Sequence, residues 1–330
     1  MLHINFDNVY VKSSATTAGK KEACGPLKDL FDKVFIDKIS RKQSFESFEL
    51  MLKEEAIDIC LNKCGMSYDD INLFIAGDLN NQIACSSKTS GKLDSSFIGI
   101  YGACSTSALG ILTGASFIKG NIINEVLVSS TSSYATSERQ FRNPIEYGGG
   151  KRYQTTFTVT GSGAILLSNK FNKIRVKRGS IGKTYDTNWT DVNDLGTGMS
   201  YAAYKTIKEH LKYFNLSPDY YDAIITGDLS TLGSKVLLEL FKNDGIDLNN
   251  HLDAGTLIFD VKKQDVFMGG SGAACAPLVT YSMVFNKLKL GEYKRVLLVA
   301  TGALFDPTYV FQKKSIPMIA HAVEFERSDV

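Results

Sequence analysis

The chain has 330 residues, 44% of them hydrophobic and 22% charged, with a formal net charge of +2. That length and composition suit a globular protein with a sizeable core, either as two domains or as one large domain made of two similar halves. The small net charge gives no case for a nucleic acid or acidic polymer as partner, and no apolar run approaches the ~18 residues of a membrane span.

Residues 1–7 lack the basic-then-apolar order of a secretory signal, so any membrane association is expected to be peripheral, through a partner. Residues 20–33 read as a loop and short helix around Gly25-Pro26. Residues 45–64 carry Phe48, Met51, Leu52, Ala56, Ile57 and Ile59 at helical spacing and stop at Gly65, which predicts an amphipathic helix. Residues 71–76 predict a buried strand ending at Gly77-Asp78-Leu79-Asn80. Residues 97–112 begin as an apolar run, pass a small-residue corner, and continue with Ala108, Leu109, Ile111, Leu112 and Ala115 at helical spacing. This is a strand, an elbow carrying Cys104, and a buried helix. A strand follows at 126–130. Residues 136–153 are polar, glycine-rich and basic (Arg139, Arg142, Lys151, Arg152) and read as a long functional loop. Residues 158–167, with Gly161 and Gly163, lead into another strand. Alternating strands and helices make the fold class α/β.

The second half repeats the first. A helix at 201–211 precedes the strand at 221–226, which ends in Gly227-Asp228-Leu229 and echoes Gly77-Asp78-Leu79. The segment Met268-Gly269-Gly270-Ser271-Gly272-Ala273-Ala274-Cys275 and its apolar helix echo the Cys104 unit, and 296–301 echoes 126–131. Four motifs recurring in one order imply duplication, with a first half over residues 1–170 and a second over 171–330. Their glycine-rich strand ends should meet where open α/β sheets place ligands.

Six cysteines (Cys24, Cys60, Cys64, Cys85, Cys104, Cys275) form no Cys-x-x-Cys pair, and Cys60 and Cys64 read as packing on one helix face. A reducing compartment follows. Amides in the first turn of a helix lack intrahelical partners and the dipole is positive there. Cys104 is therefore expected to have a lowered pKa, and an anion beside it should find donors, unless Cys104 is simply a small buried hydrophobe.

A duplicated half, Gly102-Ala103-Cys104 at an elbow and the Gly-Gly-Ser-Gly-Ala-Ala loop resemble the thiolase-like superfamily of thiolases and β-ketoacyl-synthase condensing enzymes. The resemblance implies a five-layer αβαβα fold with two pseudo-symmetric halves. Longer segments spread over nearly the whole chain resemble one family within it, stage V sporulation protein AD. They include Gly25-Pro26-Leu27, Ala76-Gly77-Asp78-Leu79, Gly102 to Ser107, Glu138-Arg139-Gln140-Phe141-Arg142, Glu146-Tyr147-Gly148-Gly149, Thr158 to Ala164, and Ser315-Ile316-Pro317 with His321. That resemblance implies binding of dipicolinic acid or calcium dipicolinate. It also implies membrane-embedded stage V channel subunits as partners, a peripheral place on the inner membrane of the developing spore, and, from the superfamily, a homodimer. No cofactor and no metal site are implied.

The condensing enzymes stabilise an enolate and its oxyanion with two histidines or a histidine and an asparagine. By resemblance those places are held here by Gly227 and Gly270, so no catalytic set is expected. Of four histidines, His3 is near the N-terminus, His210 ends a helix and should be on the surface, and His251 is in a polar loop. His321, in the loop before the last strand, is the one placed to approach Cys104. The expected ligand site therefore combines Cys104, Ser105, Thr106, Gly227, Asp228, Gly270, Ser271, His321, Arg139 and Arg142. The two glycines would make room, and the hydroxyls, amides and arginines would meet the carboxylates. Arg139 and Arg142 equally suit ion pairs with Glu138 or Glu146, Asp78 and Asp228 suit turn caps as well as calcium, and Tyr147 suits ring stacking. A non-catalytic binding protein is favoured over a condensing enzyme using Cys104 or a structural subunit with a vestigial pocket.

Overall fold

The runs at 126–130 and 296–301 are continuously apolar because both faces of their strands are covered. In the computed structural model, which describes residues 1–36, 44–142 and 150–328, Val126 and Val128 join one core while Leu127, between them, joins another. Val296, Leu298 and Ala300 likewise face the first core, and Leu297 and Val299 face a third.

The first half contains β1 (Leu2–Asn5), β2 (Tyr10–Ala18), β3 (Lys33–Val34), α1 (Phe45–Asn62), β4 (Leu73–Asp78), α2 (Ala84–Ser90), β5 (Ser96–Gly99), α3 (Thr106–Lys119), β6 (Glu125–Ser132), α4 (Tyr134–Gln140), β7 (Phe157–Thr158) and β8 (Gly161–Ser168). The second contains β9 (Ile174–Ile181), α5 (Leu195–Phe214), β10 (Ala223–Thr226), α6 (Ser230–Asn243), β11 (His251–Asp253), α7 (Ala254–Leu257), β12 (Gly270–Ser271), α8 (Cys275–Val279), α9 (Phe285–Leu290), β13 (Arg295–Ala303), α10 (Pro307–Phe311) and β14 (Met318–Arg327).

The main strands are ordered β11-β10-β13-β14-β9-β2-β8-β6-β4-β5. This path is two five-stranded sets that touch through a single residue pair, Tyr10 with Arg175. Both sets have the same order and the same directions. In the first, β4 is parallel to β5 and β6, while β8 is antiparallel to β6 and β2. In the second, β10 is parallel to β11 and β13, while β14 is antiparallel to β13 and β9. Helix α3 packs on β6 and β4 from one side and on β13 and β14 from the other, α1 covers the first sheet, and α5 covers the second with α6 against it. The five layers and the pseudo-symmetry follow. We propose residue 170, in the turn between β8 and β9, as the boundary between the halves.

Three local expectations change. His210 is not a surface residue: it is fully buried, with Nδ1 2.7 Å from Ser180 Oγ and Nε2 2.9 Å from Tyr221 Oη, because α5 runs on to Phe214 and turns that face onto the sheet. The basic stretch from 136 holds the end of helix α4 rather than loop alone. His321 lies within β14, paired with Ala300, not in the loop before it.

The halves meet backbone to backbone at the elbow as well as where β1 pairs β9 and β7 pairs β12. A Cβ on Gly302 would lie 2.4 Å from the Gly102 carbonyl oxygen and 3.1 Å from Ser105 Oγ. Overpacking of this kind costs about 1–3 kcal/mol. Gly302→Ala should therefore lower stability by that amount in urea unfolding, and an unchanged midpoint would show that the contact is loose.

Candidate ligand pocket at the join of the halves

The elbow after β5 is a single 3-10 turn, Ala103–Ser105, running into α3. Ala103 has φ +50°, a left-handed conformation that a non-glycine residue adopts at some energetic cost. The turn locks itself. Ser105 Oγ donates to the Gly102 carbonyl at 2.6 Å, and Thr106 Oγ1 donates to the Ala103 carbonyl at 2.6 Å while accepting the Gly102 N–H at 3.1 Å. Both hydroxyls are buried. The expectation that Ser105 and Thr106 face a ligand is thus corrected: their oxygens are spent on holding the corner.

From the second half, β12 lies parallel to β7 and brings Ser271 to Cys104, with Oγ 3.8 Å from Sγ. Behind it is Asp228, 1% exposed. Its Oδ2 accepts from Ser271 Oγ at 2.9 Å and Gly272 N–H at 3.2 Å, and its Oδ1 accepts from Thr301 Oγ1 at 2.6 Å. Burial pushes the Asp228 carboxyl above its usual range, against these donors. The same surroundings act on Cys104. Burial first, then the neighbouring carboxylate, pushes its thiol well above the ordinary value. The lowered pKa expected from the helix start is corrected. Burial, together with a carboxylate beside the sulfur, outweighs the partial charge of one helix end.

Above these residues lies a cavity of about 450 Å³, lined from both halves. Cys104, Ser271 and Thr158 are joined there by Arg142 and Phe141, by Leu195 and Met199 of α5, by residues 79–83 and by residues 303–307. Among the described residues, Arg142 is the cation on this wall and Asp306 the carboxylate. The Arg142 guanidinium is aimed by two bonds to Thr156, donating to its carbonyl oxygen and, at 3.1 Å, to its hydroxyl. Gln82 and Ile83, also on the wall, are consecutive left-handed residues at φ +55° and +49°. The sequence carries no signal for them beyond a polar run after a strand, nor for the contribution of residues 303–307.

The other expected residues are elsewhere. Arg139 is ion-paired with Glu46 of α1 and lies over the Phe45 ring, outside the cavity lining. Glu138 pairs with Lys151 at 2.6 Å instead. Glu146 and Tyr147 lie outside the described residues. Gly227 and Gly270 do not line the cavity and leave no slot. A Cβ at Gly227 would sit 3.1 Å from Ala300 Cα, and one at Gly270 would sit 2.8 Å from Ile258 Cγ2. They are glycines because their neighbours already fill the space. His321 is buried away from the lining. Its Nδ1 accepts the Gly182 N–H at 3.1 Å, and burial lowers its pKa to about 4. Asp78 takes the capping role, accepting from Asn80 N–H, Ser86 N–H and Ser86 Oγ at 3.1, 2.8 and 2.7 Å. Among the described residues, Glu49, Asp78 and Cys85 bring ligand atoms within 4.8 Å of one another, and beside them lies the fully buried Lys53, whose pKa burial lowers against the pull of Asp78.

The family model for stage V sporulation protein AD matches residues 3–326. The stage V sporulation protein AD of Bacillus subtilis (strain 168) is 43% identical over 321 residues, covering 97% of this chain and 95% of that one. Among solved structures, a variant of Xanthomonas campestris OleA superposes with a TM-score of 0.62 at 16% identity, covering 98% of each chain. A cerulenin-bound crystal of the same protein gives 0.59 at 16% identity, covering 97% of this chain and 98% of that one. These structural likenesses carry the thiolase-like fold.

Replacing the carboxylate should raise the thiolate fraction while the burial remains. Asp228→Asn removes the charge beside Sγ and keeps an acceptor oxygen on one side only, for Thr301 or for Ser271 and Gly272. Alkylation of Cys104 by iodoacetamide at pH 8 should then be faster by about tenfold or more, since one pKa unit is a tenfold change in thiolate. An equal rate in the two proteins, with melting curves showing both folded, would remove Asp228 as the cause.

Proposed function

The chain belongs to the stage V sporulation protein AD family, and on that premise we propose that it is a non-catalytic binding subunit for dipicolinic acid or calcium dipicolinate. It would act in a spore complex that takes the compound up and later releases it, docked peripherally on membrane-embedded stage V subunits at the spore inner membrane and paired with a second copy of itself. No helix among the described residues is long and apolar enough to cross a membrane. The observation that carries the reading is the surroundings of Cys104. Its polar neighbours are Ser271 and Asp228, a carboxylate that favours the protonated thiol, and no histidine lines the cavity among the described residues. Claisen chemistry needs a thiolate and donors aimed at an oxyanion. A thiol held protonated, with glycine at positions 227 and 270, supports binding without turnover.

The cavity wall also bears on the form of the ligand. Among the described residues it is mostly apolar and aromatic, through Tyr101, Phe141, Met199 and Phe305, with one arginine and one carboxylate. A flat pyridine suits such a wall. The free dianion would meet one cation, whereas calcium dipicolinate is neutral overall, and its metal could meet Asp306 while a carboxylate met Arg142. The charge balance favours the calcium complex.

Titration calorimetry tests this. Dipicolinate should bind more tightly with calcium present than with chelator. Ser271→Phe should abolish binding by filling the floor, and Arg142→Gln should weaken it about tenfold through loss of a charge-assisted bond. Acyl-CoA substrates should give no turnover. Binding by Ser271→Phe at parental affinity, or turnover that vanishes in Cys104→Ala, would overturn the reading.

A second expectation concerns pH. A protonated His321 would strengthen binding on acidification, but this imidazole is buried off the cavity with its pKa near 4. Affinity should therefore be flat between about pH 6 and 7.5, and His321→Ala should leave its pH profile unchanged. A rise in affinity toward pH 6 that disappears in that variant would return His321 to the site.

A further inference from the structure

The opposite end of the sheets carries a second cleft, of about 370 Å³, at the seam where β2 meets β9. Strand register builds its charge. Glu326 of β14 is paired with Arg295 of β13 on one side and with Arg175 of β9 on the other. Arg175 Nε donates to Glu326 Oε2 at 2.8 Å, and Arg295 Nε is 3.5 Å from Oε1. Lys294 also lines the cleft, so among its described lining residues Glu326 faces Arg175, Arg295 and Lys294. The nearby Asp222 is already committed, its Oδ2 accepting the Lys294 and Arg295 backbone N–H groups at 2.6 and 2.7 Å.

Two donors in this wall make no hydrogen bond, although Arg295 Nε lies within ion-pair range of Glu326. Ser328 Oγ and Arg295 Nε are buried without a hydrogen-bond partner, and Ser328 is 9% exposed. Neither is free to swing away. The Ser328 N–H is tied to the Lys173 carbonyl at 2.8 Å, and the Arg295 guanidinium lies over the Tyr220 ring at 4.2 Å. Buried donors left unmade are costly, so a wall that keeps two beside surplus positive charge is prepared for an acceptor from outside. Around the opening, Phe171 and Leu290 are 56% and 74% exposed.

We propose that the seam cleft binds a compact phosphate-type dianion, either a free phosphate or the headgroup of an anionic lipid. Ser328 and Arg295 supply the donors, and Arg175 and Lys294 the flanking charge. The full chain is titrated calorimetrically with inorganic phosphate and with phenyl phosphate at low salt, and sedimented with vesicles of phosphatidylcholine alone or with phosphatidic acid. Binding should saturate and weaken with added salt. It should fall about tenfold in Arg295→Gln and about threefold to fivefold in Ser328→Ala and Lys294→Ala. The Lys294 side chain is exposed, so that variant keeps the test valid if Arg295→Gln fails to fold. Saturable binding of the soluble phosphates, weakened by the variants, supports the site with a free ligand. Binding to phosphatidic acid vesicles alone, weakened in the same way, supports it with a lipid headgroup. No binding in either arm, or binding that the variants leave unchanged, overturns the proposal. Dipicolinate binding in the other pocket is read separately through Ser271→Phe.

Discussion

A single buried carboxylate ties together the second half's share of the cavity floor. Asp228 follows β10, yet its oxygens are satisfied by Ser271 and Gly272 after the β12 crossing and by Thr301 of β13. Burying an ionised carboxyl is affordable only when several donors converge on it, each charge-assisted bond contributing roughly 1.5–3 kcal/mol. The requirement therefore works in reverse: wherever Asp228 goes, those two segments must go with it. The floor of the cavity and the position of Ser271 opposite Cys104 both depend on that convergence.

The duplicated Gly-Asp-Leu motif shows how one piece of local chemistry took two roles. In the first half Asp78 closes a local turn, accepting from Asn80 and Ser86 a few residues onward. In the second half the helix that follows is capped instead by Asp253, which takes the Leu229 and Ser230 N–H groups. Asp228 is released from local duty and ties β12 to β13 instead. The pseudo-symmetric positions thus share a residue type and a strand end but differ in what they hold.

That difference reaches the cysteine. A helix start alone would favour a thiolate, and the elbow geometry for it is present, down to the left-handed Ala103. The carboxylate that fixes the floor lies on the sulfur's other side and favours the proton. Structural demand and nucleophile activation conflict at this position, and the structural demand prevails. Among the described residues, the cavity at one end of the sheets sets Arg142 against Asp306, while Arg175, Arg295 and Lys294 gather at the far end around Glu326.

The order of apolar runs, glycine corners and repeated motifs determined the fold by itself. Strand and helix periodicity are local properties, and the recurrence of Gly-Asp-Leu and the small-residue elbow fixed two equivalent halves. Cys104 and Ser271 were legible for the same reason, each lying on a corner that its own neighbours dictate. What only the tertiary structure decided was which side chains meet. Lys53 and Glu49 sit on a helix with a readable apolar side, yet both are fully buried beside Asp78. Arg139 and Arg142 are one helical turn apart in sequence, but one turns out to α1 and the other in to the cavity. Gly227 and Gly270 read as vacated catalytic positions, and the packing shows space already filled. His321 was read as a loop residue near the thiol and lies mid-strand. In each case the deciding quantity was a through-space distance between segments far apart in the chain. Periodicity cannot encode it, because it is set only when the two sheets close on the central helices.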